Sequence, residues 1–467
     1  MSQDLIAVLD VGKTNAKLIL VDPTGQPTWS RERSFAAIQQ APVRGLDILG
    51  IERWLLSSLK DAPEKERIGS IVPVAHGAAA VLVTASGEVI AAPDYEDPVF
   101  DTVGESYRAR RDPFEQTLSP FLPLGLNLGR QLYYLRERHP KLMDSCGSIL
   151  LYPQYWAWRL SNVRASEITS LGCHSDLWQP RAARFSFLTR AQGWDTLMPP
   201  LRAASDVLGT ISREVAQVTG LDPKCRVLCG IHDSNASYFC YRVSRPPGEP
   251  FAVVSSGTWT VILAHGADLA RLRENRDMLA NVDALGVPVA TARFMGGREY
   301  EVIAGNPSVP RQPTLESVRG VLEKKALALP SFASAGGPFV GRKGELVNAE
   351  QLDDDERGAL ATLYCALQSD LLLDLLGTDD TVLVDGPLAA NPLFGALLAA
   401  LRPGSRVLVG DNRAGPTQCA RLLCGHAPSV HLREVETLGC AGLADYRAQW
   451  RFSINPTDAP ALIDAYP

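Results

Sequence analysis

The chain has 467 residues, 46% of them hydrophobic and 21% charged, too many for one ordinary core and enough for two. A formal net charge of -6 and an isoelectric point near 5.7 argue against a broad basic surface for nucleic acid or anionic membrane, but leave room for a local positive pocket. Nine cysteines without a CxxC pair or zinc-type spacing exclude a metal ribbon and fit reduced, buried thiols.

Asp4 and Asp10 interrupt the N-terminal apolar segment, so no signal peptide is expected. The longest uncharged stretch, 68–87, contains Pro73, His76, Gly77, Thr84 and Ser86. It reads as two strands around a turn and not as a membrane span. A cytoplasmic protein without nucleic-acid or membrane partners is expected.

Residues 6–9 form a short apolar strand ending at Asp10, and 17–21 a second strand beyond the turn 11–15. The turn Asp22-Pro23-Thr24-Gly25 leads to a third run, so the opening is an antiparallel meander. Ile51, Trp54, Leu55 and Leu59 share one helical face, and a strand over 68–74 follows. Three strands, a helix and another strand indicate a mixed sheet with helical cover. From 93 to 200 periodicity is weak. The aromatic cluster Tyr152, Tyr155, Trp156 and Trp158 is expected to pack a core, with sugar stacking as the alternative for one ring.

Near the midpoint, Gly230-Ile231-His232-Asp233 follows an apolar run and precedes a helix-compatible segment. Asp233 therefore stands where a strand hands over to a helix, and from these residues alone it is a helix N-cap. Pro246-Pro247-Gly248-Glu249-Pro250 is the clearest linker. After it the opening pattern recurs: a strand at 251–255, the turn Ser256-Gly257-Thr258, and a second strand. That repetition suggests a duplicated domain. A long helix (about 356–376), a strand at 381–384, the loop Asp385-Gly386-Pro387, a helix from Asn391, a strand at 406–409 and helices after Pro416 and Gly439 complete an α/β second half.

Gly12-Lys13-Thr14 is not a P-loop, because Ala7 occupies the position of the required first glycine and a strand, not a helix, follows. Two readings stay open for it. One is an ordinary hairpin with a solvated lysine. In the other, a turn of exposed backbone N–H groups with Lys13, Thr14 and Lys17 holds phosphate oxygens, and Asp10 orients hydrated Mg²⁺. Ser256-Gly257-Thr258 supplies a second such turn. Two turns, one per half, could clamp a polyphosphate.

With these residues in view, the chain resembles the FGGY carbohydrate kinase family over essentially its whole length, nearest in motif form to the rhamnulose and fuculose kinase branch. Residues 7–17 are similar to the first phosphate motif, 230–233 to the segment of the catalytic base, and 255–259 to the second phosphate motif. Asp385-Gly386-Pro387 with Asn391 stands where the family has its adenosine loop, although one glycine replaces a glycine run. Residues 411–420 occupy the place of the closing motif.

The resemblance implies two ribonuclease H-like α/β domains of the actin and hexokinase type, at 1–245 and 246–467, with an interdomain active-site cleft. It implies ATP and Mg²⁺ as cofactors and transfer of the γ-phosphate to a sugar hydroxyl. Asp233 would be the catalytic base and Asp10 the metal residue. Lys13, Thr14, Asn15, Lys17, Gly257, Thr258, Gly386 and Asn391 would bind the nucleotide and its phosphates. His76, Gly77, His232 and Ser234 would bind the sugar. The Ser-Ser-Gly-Thr-Trp form points to a ketose, such as the 6-deoxyketohexoses L-rhamnulose and L-fuculose. The alternatives are a kinase of a pentulose or polyol and a non-catalytic actin-like ATPase or sugar sensor. A homodimer is among the oligomeric states left open.

Overall fold

The computed structural model describes residues 4–39, 42–305, 313–333, 336–411 and 415–454. Residues 412–414, within the stretch compared with the family's closing motif, lie outside them. The chain divides into two compact units. The first comprises 1–244 with 280–288 and 414–429, and the second 245–279, 289–413 and 430–467.

In the first unit, β1 (Leu5–Val11), β2 (Asn15–Val21) and β3 (Pro27–Ser34) form the expected meander. Nearly every residue of β1 is buried, as suits a strand covered on both faces. β3 is largely exposed and carries Arg31 over the Trp29 ring, charged decoration that protects a sheet edge from further pairing. Helix α1 (Ile48–Asp61) begins where Asp47 accepts a hydrogen bond from the Gly50 N–H, and buries Ile51, Trp54, Leu55 and Leu59. Strand β4 (Ile68–Ala75) then lies parallel to β1.

Helix α2 (Tyr152–Ser161) inserts the aromatic cluster into the core; Tyr155 and Trp156 are fully buried and meet edge to face at 5.0 Å. Strands β5 (Val207–Thr210) and β6 (Arg226–Leu228) extend the sheet to the order β5–β6–β4–β1–β2–β3, and β7 (Ile231–His232) also pairs with β4. Helix α3 (Asp233–Ser244) follows directly.

The second unit repeats the pattern. Strands β8 (Phe251–Ser255), β9 (Thr260–His265) and β10 (Pro288–Phe294) form an antiparallel meander. Helix α4 (Gly296–Ala304) and the long helix α5 (Asp354–Leu376) lead to β11 (Thr381–Asp385), parallel to β8. Helix α6 (Pro392–Leu401), β12 (Arg406–Gly410) parallel to β11, and antiparallel β13 (Leu432–Glu434) follow. The order β10–β9–β8–β11–β12 matches β3–β2–β1–β4–β6 in the first unit. Between the last two strands, α7 (Pro416–Leu423) belongs to the first unit. Helix α5 is long and apolar enough to cross a membrane, yet 83% of its apolar window is buried inside the protein; a capping box of Asp353 and Glu356 starts it. It is a core helix.

Candidate active site

The site in the first unit is assembled by strand register. β1 and β2 pair with Asp10 opposite Lys17, and β2 and β3 with Lys17 opposite Glu32. These side chains, with Asn15, Asp233 and Ser234, line a cavity of about 390 Å³. Burial, reinforced by the negative charge of Asp233, pushes the Asp10 carboxyl up to about 7, against the opposing pull of Lys17. Lys17 has no ion-pair partner among the described residues. The cavity thus holds carboxylates that repel one another and a lysine free to meet an anion.

Asp233 reaches this cavity because Gly230 lets the chain turn. Gly230 has φ +84° and passes so close to β4 that a Cβ there would stand 2.3 Å from the Pro73 carbonyl oxygen. The next residues, Ile231 and His232, then run beside Val74 and Ala75. Asp233 itself is the first residue of α3, with its Oδ1 accepting from the Ser234 N–H at 2.5 Å and from Ser234 Oγ at 3.2 Å. The expected cap to an amide two or three residues on is therefore replaced by a bond to the next residue, because the helix begins at Asp233. His232 Nε2 lies 3.2 Å from the same Oδ1. Among the described residues only Oδ1 is engaged, and Oδ2 carries no hydrogen bond.

The sugar-binding residues expected from the sequence are brought together around this turn. A Cβ on Gly77 would stand 2.7 Å from His232 Nε2, so the absence of a side chain admits that ring. His76 is buried, donates from Nδ1 to the Gly77 carbonyl at 2.8 Å, and leaves Nε2 without a hydrogen-bond partner among the described residues. Burial holds both imidazoles below their ordinary value, which keeps them neutral at pH 7. Below them is a buried support that the sequence did not signal. Glu167 Oε2 accepts from Thr169 Oγ1 at 2.5 Å, and Thr169 Oγ1 accepts from the His232 N–H at 3.0 Å. Burial pushes the Glu167 carboxyl up to about 7.

Not every member of the first turn faces the cavity. Thr14 is exposed at the hairpin tip and its carbonyl accepts from the Phe35 N–H. Lys13 instead pairs with Asp94 and lies 3.5 Å from Glu96 Oε2. Glu32 was missed: a symmetric count across the Asp22-Pro23-Thr24-Gly25 turn puts Ser30 opposite Lys17, and the irregularity between Leu20 and Val21 shifts the pairing to Glu32.

In the second unit, Gly257 and Thr258 form the tip of the β8–β9 turn, and the Gly297 N–H donates to the Thr258 carbonyl at 3.3 Å. The amino end of α4 is thereby held against this turn. Ser256 Oγ donates to the Asp385 carbonyl at 2.7 Å and accepts from the Leu388 N–H at 2.9 Å. One hydroxyl thus ties the second phosphate-type turn to the loop carrying Gly386. The loop's single glycine is required at this position: φ is +79°, and a Cβ would meet the Ser256 carbonyl oxygen at 2.1 Å. Asn391 caps α6, accepting from the Leu393 N–H, and donates to Thr362 Oγ1 at 3.2 Å.

Among the described residues no three His, Cys, Asp or Glu side chains converge as a metal cage. The first-unit cavity nevertheless fits Mg²⁺, which takes one or two carboxylates and fills its remaining positions with water and phosphate oxygen. Asp10, held near neutrality by burial and the Asp233 charge, is the donor a divalent cation would relieve.

Comparison with known proteins agrees with this fold. Residues 248–432 match the family model described as carbohydrate kinase FGGY, C-terminal domain. A solved carbohydrate kinase from Novosphingobium aromaticivorans is 36% identical, with a TM-score of 0.89 over 97% of this chain and 99% of that one. An L-fuculokinase of Salmonella typhi is 26% identical over 284 residues, 58% of each chain. A rhamnulokinase of Halalkalibacterium halodurans is 24% identical over 228 residues, 44% of this chain and 45% of that one. The chain thus spans less than two thirds of the length of these curated relatives. Two units with one strand order, the match to the family's C-terminal domain and the full-length likeness lead to one conclusion: this chain belongs to the FGGY family of carbohydrate kinases.

Proposed function

We propose that the protein transfers the γ-phosphate of ATP to a hydroxyl of a ketose, with 6-deoxyketohexoses such as L-fuculose and L-rhamnulose the first acceptors to test. The observation that carries this reading is the convergence of Asp10, Lys17 and Asp233 on one cavity, with Oδ1 of Asp233 anchored and Oδ2 unengaged. The similarity to an L-fuculokinase and a rhamnulokinase supports the acceptor class. The nine free cysteines suit a reducing cytoplasm.

In the transfer, the acceptor oxygen bonds to the γ-phosphorus as the bond from that phosphorus to the β,γ-bridging oxygen breaks, and ADP leaves with the electron pair. The hydroxyl proton passes to Asp233 Oδ2, a step of general-base catalysis contributing about 10²–10⁴-fold. His232 beside Oδ1 holds the carboxylate in place while Oδ2 acts. The Lys17 ammonium balances phosphate charge. Gly386 and Asn391 hold the adenosine side. Asp10 would hold Mg²⁺, which when bound neutralises phosphate oxygens and supplies electrostatic stabilisation of the transferring group.

A coupled ADP-release screen over L-fuculose, L-rhamnulose, pentuloses and polyols tests the proposal. Sugar-dependent ADP release is expected with at least one ketose; ADP release indifferent to every sugar would favour an actin-like ATPase instead.

A further inference from the structure

Lys13 sits inside the first phosphate motif by sequence, but its side chain belongs to a different neighbourhood. We infer that Lys13 is a ligand of the acceptor sugar and not of the nucleotide phosphates, and that with Asp94, Arg44 and Tyr95 it selects a neutral polyhydroxy acceptor. The inference rests on the kinase reading above.

The Lys13 ammonium is ion-paired with Asp94, 3.5 Å from Glu96 Oε2, and 5.1 Å from the centroid of the Tyr95 ring. It is not among the residues lining the cavity of Asp10 and Lys17. Its anchor is rigid. The Asp94 carboxylate is only 1% exposed and also lies 2.9 Å from Arg44 Nε, while the Asp94 N–H donates to the Arg44 carbonyl at 2.9 Å. A buried carboxylate between two cations gives Lys13 a strong reason to stay, because leaving would uncover a buried charge.

This wall adjoins the residues already assigned to the sugar. Tyr95 meets the His76 ring edge-on at 5.9 Å, and Tyr152 meets it edge-on at 4.9 Å. His76 presents the buried, unpartnered Nε2 described above. With Nδ1 donating to the Gly77 carbonyl, Nε2 is an acceptor waiting for a hydroxyl. Lys13 supplies the complementary function: an ammonium has three donors, of which Asp94 accepts one while Glu96 Oε2 stands 3.5 Å away. The wall therefore offers one acceptor and one charged donor within a shell bounded by aromatic rings, the pattern that recognises a polyol chain. Two cations, Lys13 and Arg44, face two carboxylates, Asp94 and Glu96. That balance favours a neutral acceptor over a sugar acid.

The test separates the two substrates. Wild type, Lys13→Met, Lys13→Arg and Asp94→Asn would be compared for KM of the acceptor, using L-fuculose first, and for direct calorimetric binding of Mg²⁺-AMP-PNP. The expected result is a rise in acceptor KM of at least about 10-fold for Lys13→Met, the effect of losing one charged hydrogen bond. Asp94→Asn should move the same way and Lys13→Arg should restore part of the loss, with AMP-PNP affinity within about 3-fold throughout. Weakened AMP-PNP binding, an unchanged acceptor KM, or parallel loss of both overturns the assignment. If Lys13→Met does not fold, the comparison of Lys13→Arg with Asp94→Asn carries the same two readouts. The kinase reading fails separately, if wild type releases no ADP with any ketose.

Discussion

Replacing Asp10 with asparagine should stabilise the ligand-free protein while crippling it as a kinase. The Asp10 carboxyl is raised from 3.8 to about 7, first by burial and then by the charge of Asp233. A group whose folded-state value is raised favours the folded state below its unfolded value and loses that support as pH rises through the folded value. Above about pH 7 the ionised carboxylate is therefore a standing cost. A displacement of about three units corresponds to a ceiling of about 4 kcal/mol. Asp10 is half-buried, and solvent screening brings the expected gain from Asp10→Asn down to about 2 kcal/mol. For a unit of this size that is a rise in Tm of about 4–8 °C at pH 8. Thermal melts of wild type and variant at pH 8 and pH 4.5 provide the assay, and the difference should shrink by at least half at the lower pH. A variant less stable than wild type at pH 8, or a difference independent of pH, would refute the electrostatic account of this cavity.

Three further outcomes follow from the same geometry. Lys17→Met should raise the KM for ATP about 10-fold with little effect on the acceptor KM, by removal of a charge-assisted contact to phosphate; steady-state kinetics in both substrates will show whether it does. Gly386→Ala sets a Cβ 2.1 Å from the Ser256 carbonyl oxygen at φ +79°, at a strain of about 1–3 kcal/mol. Nucleotide binding measured by calorimetry should weaken about 10-fold, and an unchanged Kd would detach this loop from the nucleotide. Burial holds the His76 imidazole below its ordinary 6.5, so its contribution to stability is present above pH 6.5 and is lost as pH falls. Urea titrations should show His76→Asn losing less stability than wild type between pH 7 and pH 5.

Much of the fold was legible because its signals are local. The apolar run ending at Asp10, the tight turns of the first meander and their recurrence after Pro250 identified two similar α/β halves. The turn bearing Asp233 was legible for the same reason: an apolar strand, a glycine and a helix follow in immediate succession. What escaped depends on contacts between distant residues. The Lys13–Asp94 pair joins positions 81 apart, and nothing near Lys13 distinguishes a phosphate ligand from a lysine folded back on a buried carboxylate. Ser256 was visible within its motif, but its bonds to Asp385 and Leu388 arise only when β8 and β11 pair. Glu167 lies 65 residues before His232 and meets it through Thr169. The segments 280–288 and 414–429 join the first unit although the sequence around them reads as part of the second half.

The central claim is that Asp233 takes the proton of the acceptor hydroxyl. A single-turnover measurement of phosphoryl transfer from ATP to an accepted ketose, comparing wild type with Asp233→Asn, tests it most directly. The account predicts a rate at least about 100-fold lower in the variant, with nucleotide affinity and melting behaviour close to wild type. Transfer at near wild-type rate by Asp233→Asn would contradict it.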